Sequence, residues 1–230
     1  IYQFKFQNSK NKWYSKFVKI WNISENAAKT TLNNFLENGA SDYNEGRNFP
    51  NKNSVSKISA YLHWGQISPF RVWHEAKNRM SGSHKETFLS ELGWREFSYH
   101  LLYHFPKINK QNLKAQFNKL DWNVNSELLL KWKKGKTGFP IIDAGMRELW
   151  KTGYMHNRLR MITASFLVKN LLIHWKEGEK WFWDCLLDAD LANNSASWQW
   201  VAGTGSDAAP FFRIFNPITQ GQKFDKDALY

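Results

Sequence analysis

Residues 188–200 combine acidic, amide and indole side chains at short spacing, in the order DADLANNSASWQW. Asp188 and Asp190 lie two residues apart, a small polar segment follows, and Trp198 and Trp200 flank a glutamine. Carboxylates, amides and indoles with little bulk between them are typical of a pocket for a flat polar ligand. Alternatively, the stretch connects two helices, and its Asp and Asn residues serve as helix caps.

A second candidate segment, MHNRLRM, occupies residues 155–161. On a helix, Asn157, Arg160 and Met161 lie close to one face, and Arg158 is turned away from it. Two arginines on an otherwise apolar helix are costly to bury without an anion. We therefore expect one of them to meet a phosphate or one of the two aspartates. An ion pair with a purely structural role is the alternative.

A third segment, ELGWREF, occupies residues 91–97. Glu91, Trp94 and Arg95 are spaced at i, i+3 and i+4, which places them on one helical face. Together they offer a hydrogen-bond acceptor, a stacking surface and a phosphate-binding fork. The alternative is an amphipathic helix with an ordinary pair between Glu91 and Arg95.

Four tryptophans form a further candidate set, namely Trp122, Trp175, Trp198 and Trp200. Indoles in a buried row can pass an electron in short hops, although any large core also brings tryptophans together. The sequence contains no pattern for a nucleophilic triad, a Walker loop or a dinucleotide-binding glycine motif. Its seven histidines have no metal-ligand spacing, so no metal site is expected.

The composition restricts the kind of partner. A net charge of +12 favours a polyanion, and 13 Trp, 8 Tyr and 17 Phe suit base stacking. Alternatively, the charge only keeps the surface solvated. Cys185 is the single cysteine, which excludes an intrachain disulfide and a multi-cysteine metal site within this chain. We expect Cys185 to fill space in the core.

The periodicity predicts an all-α fold, a single domain of roughly a dozen short helices, because no strand-like alternation persists over five residues. The principal predicted segments are a helix over 24–39, a polar loop over 40–56 that is ordered only when something binds it, and a helix over 85–103. The longest apolar helix is expected over 156–175, and Gly178 is expected to separate it from an aromatic helix starting near residue 180. No apolar run approaches the ~20 residues of a membrane helix. The start lacks both a signal peptide and Met, which suggests a fragment or processed form.

Several blocks of sequence resemble the flavin-binding helical domain of DNA photolyases and cryptochromes. They are YNEGRNFP, SKISAYLHWGQISP, ELGWREF, GFPIIDAGMREL, MHNRLRM and DADLANNSASWQW, the last continuing into GSDAAPFFRIFNP. The resemblance covers about residues 20–225 in the expected order. It is strongest to class I photolyases, which act on cyclobutane pyrimidine dimers.

The resemblance implies that FAD binds inside the helical domain. The implied cofactor-binding residues are Tyr43, Ser56, Ser59, Arg95, Asn157, Arg160, Asp188, Asp190 and Asn194. Arg160 and Asp188 would form a buried pair, and Asn194 would face flavin N5, which favours a photolyase over a cryptochrome. Trp198, Trp175 and Trp122 match the chain that reduces the flavin in light, with Trp122 at the surface.

The resemblance also implies a DNA substrate with a flipped pyrimidine dimer. The implied substrate-binding residues are Glu91, Trp94, Asn157, Arg158, Met161, Trp200 and Arg213. Trp94 and Trp200 would sandwich the dimer, and Glu91 would steady it. With Asn194 and the three tryptophans of the chain, Glu91 completes the implied catalytic set. Asn157 and Arg158 stand where (6-4) enzymes carry paired histidines.

On this resemblance, residues 1–230 are one FAD-binding helical domain without the family's amino-terminal α/β domain and last carboxy-terminal helices. No antenna pigment is therefore expected in this chain. Val55 replaces a threonine usual in the phosphate loop, and Lys57 stands where arginine is common. The implied activity is light-dependent splitting of cyclobutane pyrimidine dimers, and the alternative is a cryptochrome-type FAD photoreceptor without repair. A cytoplasmic, DNA-associated monomer with no membrane contact is expected.

Overall fold

The computed structural model describes residues 12–207 and 214–230. Within these ranges the chain forms eleven α-helices and no β-strand, as the sequence predicts. The helices are α1 (Glu25–Asn38), α2 (Tyr43–Gly46), α3 (Ser59–His63), α4 (Pro69–Arg79), α5 (Gly82–His104), α6 (Ser126–Lys133), α7 (Pro140–Thr152), α8 (Asn157–Ser165), α9 (Trp175–Cys185), α10 (Leu191–Ala202) and α11 (Pro217–Phe224). None of the helices described is both long and apolar enough to cross a membrane.

Local sequence signals account for the starts of α1 and α4. The Ser24 hydroxyl accepts a hydrogen bond from the Ala27 backbone N–H at 3.0 Å, so Ser24 caps α1 as predicted. Ser68 caps α4 in the same way, and Pro69 occupies the first helical position, where no N–H is needed. These two helices pack with α3 and α5 around an apolar cluster that includes Leu32 and Val72.

The prediction of a loop over residues 40–56 is wrong in part. A 3-10 turn (Ala40–Asp42) and helix α2 lie within it. The Asp42 carboxylate accepts hydrogen bonds from Lys52 Nζ at 3.1 Å and Ser54 Oγ at 3.3 Å, so the two ends of the segment are held together. Gly46 permits this closure, because a Cβ there would lie 2.4 Å from Ser54 Oγ.

The prediction of one long helix over residues 156–175 is also wrong. Helix α8 ends at Ser165, a π-helical turn covers Phe166–Asn170, and Leu172 adopts a left-handed conformation with φ 54°. A new helix, α9, then begins at Trp175 with His174 as its cap. The longest helix is instead α5, with 23 residues from Gly82 to His104, three residues longer at its start than predicted.

Gly178 lies inside α9 and does not separate two helices. A Cβ on Gly178 would approach the Trp198 ring to 2.1 Å, so the glycine allows α9 and α10 to pack closely. Helix α10 packs against α9 on one side and α5 on another. Helices α6 to α11 enclose the larger apolar core, which contains Cys185 at 2% exposure, as expected. This arrangement brings α5, α8 and α10 to one shared space.

Candidate functional site

A cavity of about 780 Å³ lies among α2, α3, α5, α8 and α10. Its volume is that of a site for a small molecule or cofactor. The predicted site residues that line it are Tyr43, Ser56, Ser59, Glu91, Trp94, Arg95, Asn157, Arg158, Arg160, Met161, Asp188, Asp190, Asn194, Trp198 and Trp200. Trp122 and Trp175 do not line it, and Arg213 lies outside the described residues.

The predicted ion pair between Arg160 and Asp188 is present. Arg160 Nη2 donates to Asp188 Oδ2 at 2.8 Å, and Ser59 Oγ donates to the same oxygen at 2.6 Å. Arg160 Nε also donates to the Met155 carbonyl at 2.8 Å. Burial lowers the pKa of Arg160, but the Asp188 charge and hydrogen bond outweigh it, so this pKa is raised. The other carboxylate oxygen, Asp188 Oδ1, is buried without a protein partner.

Asp190 both caps a helix and lines the cavity, which are the two roles considered for it from the sequence. Its Oδ1 accepts a hydrogen bond from the Asn193 backbone N–H at 2.8 Å and caps α10, while the residue also lines the cavity. The Tyr99 hydroxyl donates to Oδ2, and His63 Nδ1 lies 3.4 Å from it. Burial raises the pKa of Asp190, but these hydrogen bonds outweigh burial and the pKa is lowered.

Tyr99 was missed by the sequence analysis. Its pKa is raised to about 12 by burial first and then by the hydrogen bond to Asp190, so it remains a hydrogen-bond donor at neutral pH. The available signal was its spacing, since Tyr99 follows Arg95 by four residues on α5 and therefore shares its face. Arg95 Nη2 lies 3.3 Å from the Tyr99 hydroxyl.

The segment before α3 contributes the polar groups at another part of the cavity. Ser56 Oγ accepts a hydrogen bond from the Ile58 backbone N–H at 3.4 Å. Lys57 adopts a left-handed conformation with φ 51°, which is uncommon for a residue with a side chain. Tyr43, which lines the same cavity, is buried, and burial raises its pKa to about 12. Strained backbone of this kind concentrates at ligand-binding positions.

The predicted α5 residues Glu91, Trp94 and Arg95 line the cavity, but Glu91 and Arg95 do not pair with each other as the alternative interpretation expected. Glu91 pairs with Arg47 at 2.6 Å rather than with Arg95, and Arg95 pairs with Glu96 at 2.8 Å. Arg47 was missed, although it is the arginine of the YNEGRNFP block. Trp94, on the same helix, is 62% exposed.

Besides Arg160, helix α8 contributes three predicted residues to the cavity. Asn157 Nδ2 lies 3.8 Å from Met161 Sδ, so both side chains share one face. Arg158 also reaches the cavity, where its guanidinium donates to Asn48 and lies 4.6 Å from the Phe224 ring centroid. Arg158 Nε is buried without a protein partner.

On α10, Asn194 and Trp200 also line the cavity. The Asn194 amide donates to the backbone carbonyl of Glu179 at 3.1 Å, which ties α10 to α9. Trp200 is partly buried and belongs to the helix that packs against α5, the helix carrying Trp94. The two indoles predicted as a sandwich therefore line the same cavity from neighbouring helices.

The three tryptophans of the predicted electron chain differ in burial. Trp198 lines the cavity and meets Phe182 edge to face, with 4.9 Å between ring centroids. Trp175 is fully buried, and its Nε1 donates to Asn112 Oδ1 at 2.8 Å. Trp122 is half-buried at the edge of the core. The three indoles therefore lie at the cavity, in the core and at its edge, and the order of electron transfer among them stays a prediction.

Comparison with known proteins identifies the family. Residues 88–230 match the family model described as the FAD binding domain of DNA photolyase, so the chain belongs to that family. It is 49% identical over 225 residues to a deoxyribodipyrimidine photo-lyase of Agrobacterium fabrum, covering 96% of this chain and 47% of that protein. It is also 49% identical over 213 residues to the deoxyribodipyrimidine photo-lyase of Escherichia coli, covering 90% and 45%.

A solved structure gives the same result at the level of the fold. The crystal structure of a class III photolyase from Agrobacterium tumefaciens matches with a TM-score of 0.91 and 49% identity, covering 96% of this chain and 47% of that one. The closer likeness to class I stays a prediction, because this strong structural match is to a class III protein. The chain spans about half the length of the curated relatives it matches.

Proposed function

We propose that this chain is the FAD-binding core of a deoxyribodipyrimidine photo-lyase, an enzyme that splits cyclobutane pyrimidine dimers in DNA under light. The observation that carries the proposal is the composition of the cavity wall. One part holds a buried Arg160–Asp188 pair, and another part presents Trp94 and Trp200 with Glu91 beside them. Such a wall suits a flat charged cofactor next to a flat stacked substrate.

The residues present fit FAD. Asp188 Oδ1 is a buried acceptor without a protein partner, and a polar group of FAD would satisfy it. Ser56, Ser59 and Lys57 supply hydroxyls and a cation suited to ribose and pyrophosphate. Tyr43, Arg95, Asn157, Asp190 and Asn194 are proposed as further cofactor contacts. Val55 provides no hydroxyl, which removes one hydrogen bond that a threonine would offer.

When bound and reduced, FAD supplies on excitation the electron that opens the cyclobutane ring and that afterwards returns. The residues of the chain position the substrate. Trp94 and Trp200 stack on the extruded dimer, and Glu91 accepts a hydrogen bond from it. Arg47, already paired with Glu91 at 2.6 Å, holds that carboxylate in position.

The net charge supports binding to DNA. With 32 Lys and Arg against 20 Asp and Glu, the chain attracts phosphates whatever the base sequence. Arg158 and Met161 lie at the cavity with Asn157, where they are proposed to contact the damaged strand. Arg213 is proposed as a further phosphate contact on the sequence resemblance alone. Log affinity should therefore fall linearly with log salt concentration.

The decisive experiment measures repair. The chain is loaded with FAD, reduced, mixed with dimer-bearing DNA and exposed to blue light, and remaining dimers are quantified. Loss of dimers in light but not in darkness is expected. Trp94→Ala should weaken binding of dimer-bearing DNA by about 1–3 kcal/mol, whereas Trp150→Ala, an exposed tryptophan outside the cavity lining, should not.

The same experiment decides the rival function. A chain that binds FAD and changes its redox state in light, yet leaves every dimer intact, would be a cryptochrome-type photoreceptor. If the Trp94 and Trp150 variants bind damaged DNA equally well, Trp94 does not stack on the substrate. That result would not contradict the proposed role of FAD.

A further inference from the structure

The imidazole of His174 contacts two of the tryptophans in the proposed electron chain. Its ring centroid lies 5.0 Å from that of Trp122 and 5.6 Å from that of Trp175. Both distances fall in the range of direct aromatic contact. His174 therefore touches the half-buried outer indole and the fully buried middle indole at the same time.

One hydrogen bond fixes the imidazole, and two others tie the backbone before it to the segment that carries Trp122. His174 Nδ1 accepts the Lys176 backbone N–H at 3.1 Å and caps α9, so the neutral ring carries its proton on Nε2. From the other side, Asn123 N donates to the Leu172 carbonyl at 2.6 Å. Asn123 Nδ2 also donates to the Leu171 carbonyl, at 3.3 Å. The segment carrying Trp122 is thus tied to the loop carrying His174.

The charges around His174 favour the neutral ring. Burial lowers its pKa, Lys176 and Lys180 on α9 act in the same direction, and Glu177 opposes them. On the facing segment, Asp121 directly precedes Trp122 and is exposed to solvent. The imidazole is consequently uncharged at neutral pH and becomes a cation only in acid.

We propose that His174 is a positioning residue of the tryptophan chain, bridging Trp122 and Trp175 while neutral and opposing the arrival of positive charge on this pair when protonated. This inference rests on the proposed function. In the step concerned, one electron passes from Trp175 to oxidised Trp198, so Trp198 is reduced and Trp175 is oxidised, and an electron from Trp122 then reduces Trp175 in turn. No bond breaks, and the oxidant at the start of the chain is a light-excited oxidised flavin. An imidazolium about 5 Å from each indole would raise the energy of a positive charge on either of them, so it would slow the arrival of that charge from Trp198 and with it the formation of the Trp122 radical.

The test follows the Trp122 radical by transient absorption in FAD-loaded protein between pH 8 and pH 5. We expect its rate of formation to fall about tenfold or more as His174 is protonated. His174→Asn retains a cap acceptor but removes the ring and its charge, so its rate should be lower at pH 8 and independent of pH. His174→Phe retains a ring without a titrating group, and it should be independent of pH but faster than the Asn variant.

A second readout needs no light. In dark FAD-loaded protein, the indole N–H resonance of Trp122, assigned with Trp122→Phe, should shift with the same midpoint as the His174 imidazole. It should not shift in His174→Asn. An identical pH profile of radical formation in the wild type and in both variants would overturn the inference. Repair by chemically reduced wild-type protein is measured in parallel, and its absence would refute the proposed function instead.

Discussion

The cavity wall and the core both contain tryptophans, but the two regions differ in how far their side chains are buried and whether buried polar atoms have partners. In the core, Trp132 and Trp175 are fully buried, and each indole N–H has a partner. Trp132 Nε1 donates to the Thr163 carbonyl at 3.0 Å, and Trp175 Nε1 donates to Asn112 at 2.8 Å. In the wall, Trp94 is 62% exposed. The wall also holds the polar atoms of Asp188 and Arg158 that have no protein partner.

This difference shows where a ligand can add stability. A buried polar atom without a partner costs about 1–3 kcal/mol, so a ligand that pairs with Asp188 Oδ1 removes a penalty that the wall carries. The core has no such atoms to satisfy on Trp132 and Trp175. FAD bound to the cavity wall should therefore raise the free energy of unfolding of the chain, by an amount that grows with the FAD concentration.

The largest expected effect comes from breaking the charge pair of the wall. Arg160→Met leaves Asp188, whose side chain is 4% exposed, without its cation. We expect the free energy of unfolding to fall by about 3–5 kcal/mol in urea denaturation. Arg79→Met is the matched control, because Arg79 pairs with exposed Glu37 and half-buried Glu75, and its loss should cost no more than about 1 kcal/mol. Equal costs would mean that the wall pair is no more buried than a surface pair.

His156, which lies between the wall residues Met155 and Asn157 in the sequence, makes the stability of the chain sensitive to pH. It caps α8, and burial first, then the charges of Arg158 and Arg160, lower its pKa from 6.5 to about 4. The unfolded chain takes up a proton near pH 6.5 and the folded chain only near pH 4. The contribution of His156 to stability is therefore complete above pH 6.5 and is lost between these values, by up to roughly 3 kcal/mol.

The measurement is urea denaturation of the wild type and His156→Asn at several pH values from 7.5 to 4. Asn keeps a cap acceptor but does not titrate, so the variant should lose less stability over this range. Parallel curves for the two proteins would show that His156 is protonated at its ordinary pKa in the folded chain.

Two glycines within helices allow the tightness of backbone packing to be compared between the core and the cavity wall. A Cβ on Gly178 would lie 2.1 Å from the Trp198 ring in the core, whereas a Cβ on Gly93, on the wall helix α5, meets nothing within 4 Å. Gly178→Ala should destabilise the chain by about 1–3 kcal/mol. Gly93→Ala should stabilise it by up to about 1 kcal/mol through helix propensity. Thermal denaturation of both variants is the test, and a neutral Gly178→Ala would show that α9 and α10 can move apart.

Gly178 also illustrates what the sequence predicts and what it does not. Caps such as Ser24 and the all-α class follow from local chemistry, and both predictions are confirmed. The end of α8 does not follow, because residues 156–175 remain apolar and helically spaced throughout. The π-helical turn and the left-handed Leu172 depend on how this segment packs against distant elements. A glycine required for helix packing looks the same in sequence as one that ends a helix.

The candidate site likewise has features that the sequence predicts and features that it does not. The cavity-lining positions predicted from the family blocks come together, because the blocks include the helical faces that carry them. The partners of Glu91 and Asp190 were not predictable, since Arg47 is 44 residues from Glu91 and Tyr99 is 91 residues from Asp190. Spacing within one helix suggested Arg95 as the partner of Glu91. Only the packing of α2 against α5 brings Arg47 closer.

The smallest expected effect is on an exposed residue of the wall. Trp94→Ala should change the free energy of unfolding by no more than about 0.5 kcal/mol, because its indole is 62% exposed and its ring contact is the neighbouring Phe97 on the same helix. Trp132→Ala, the core counterpart, should cost about 3–5 kcal/mol. Urea denaturation without FAD measures both. Similar losses would mean that Trp94 packs as a core residue, and its indole would then not be available to stack on a substrate.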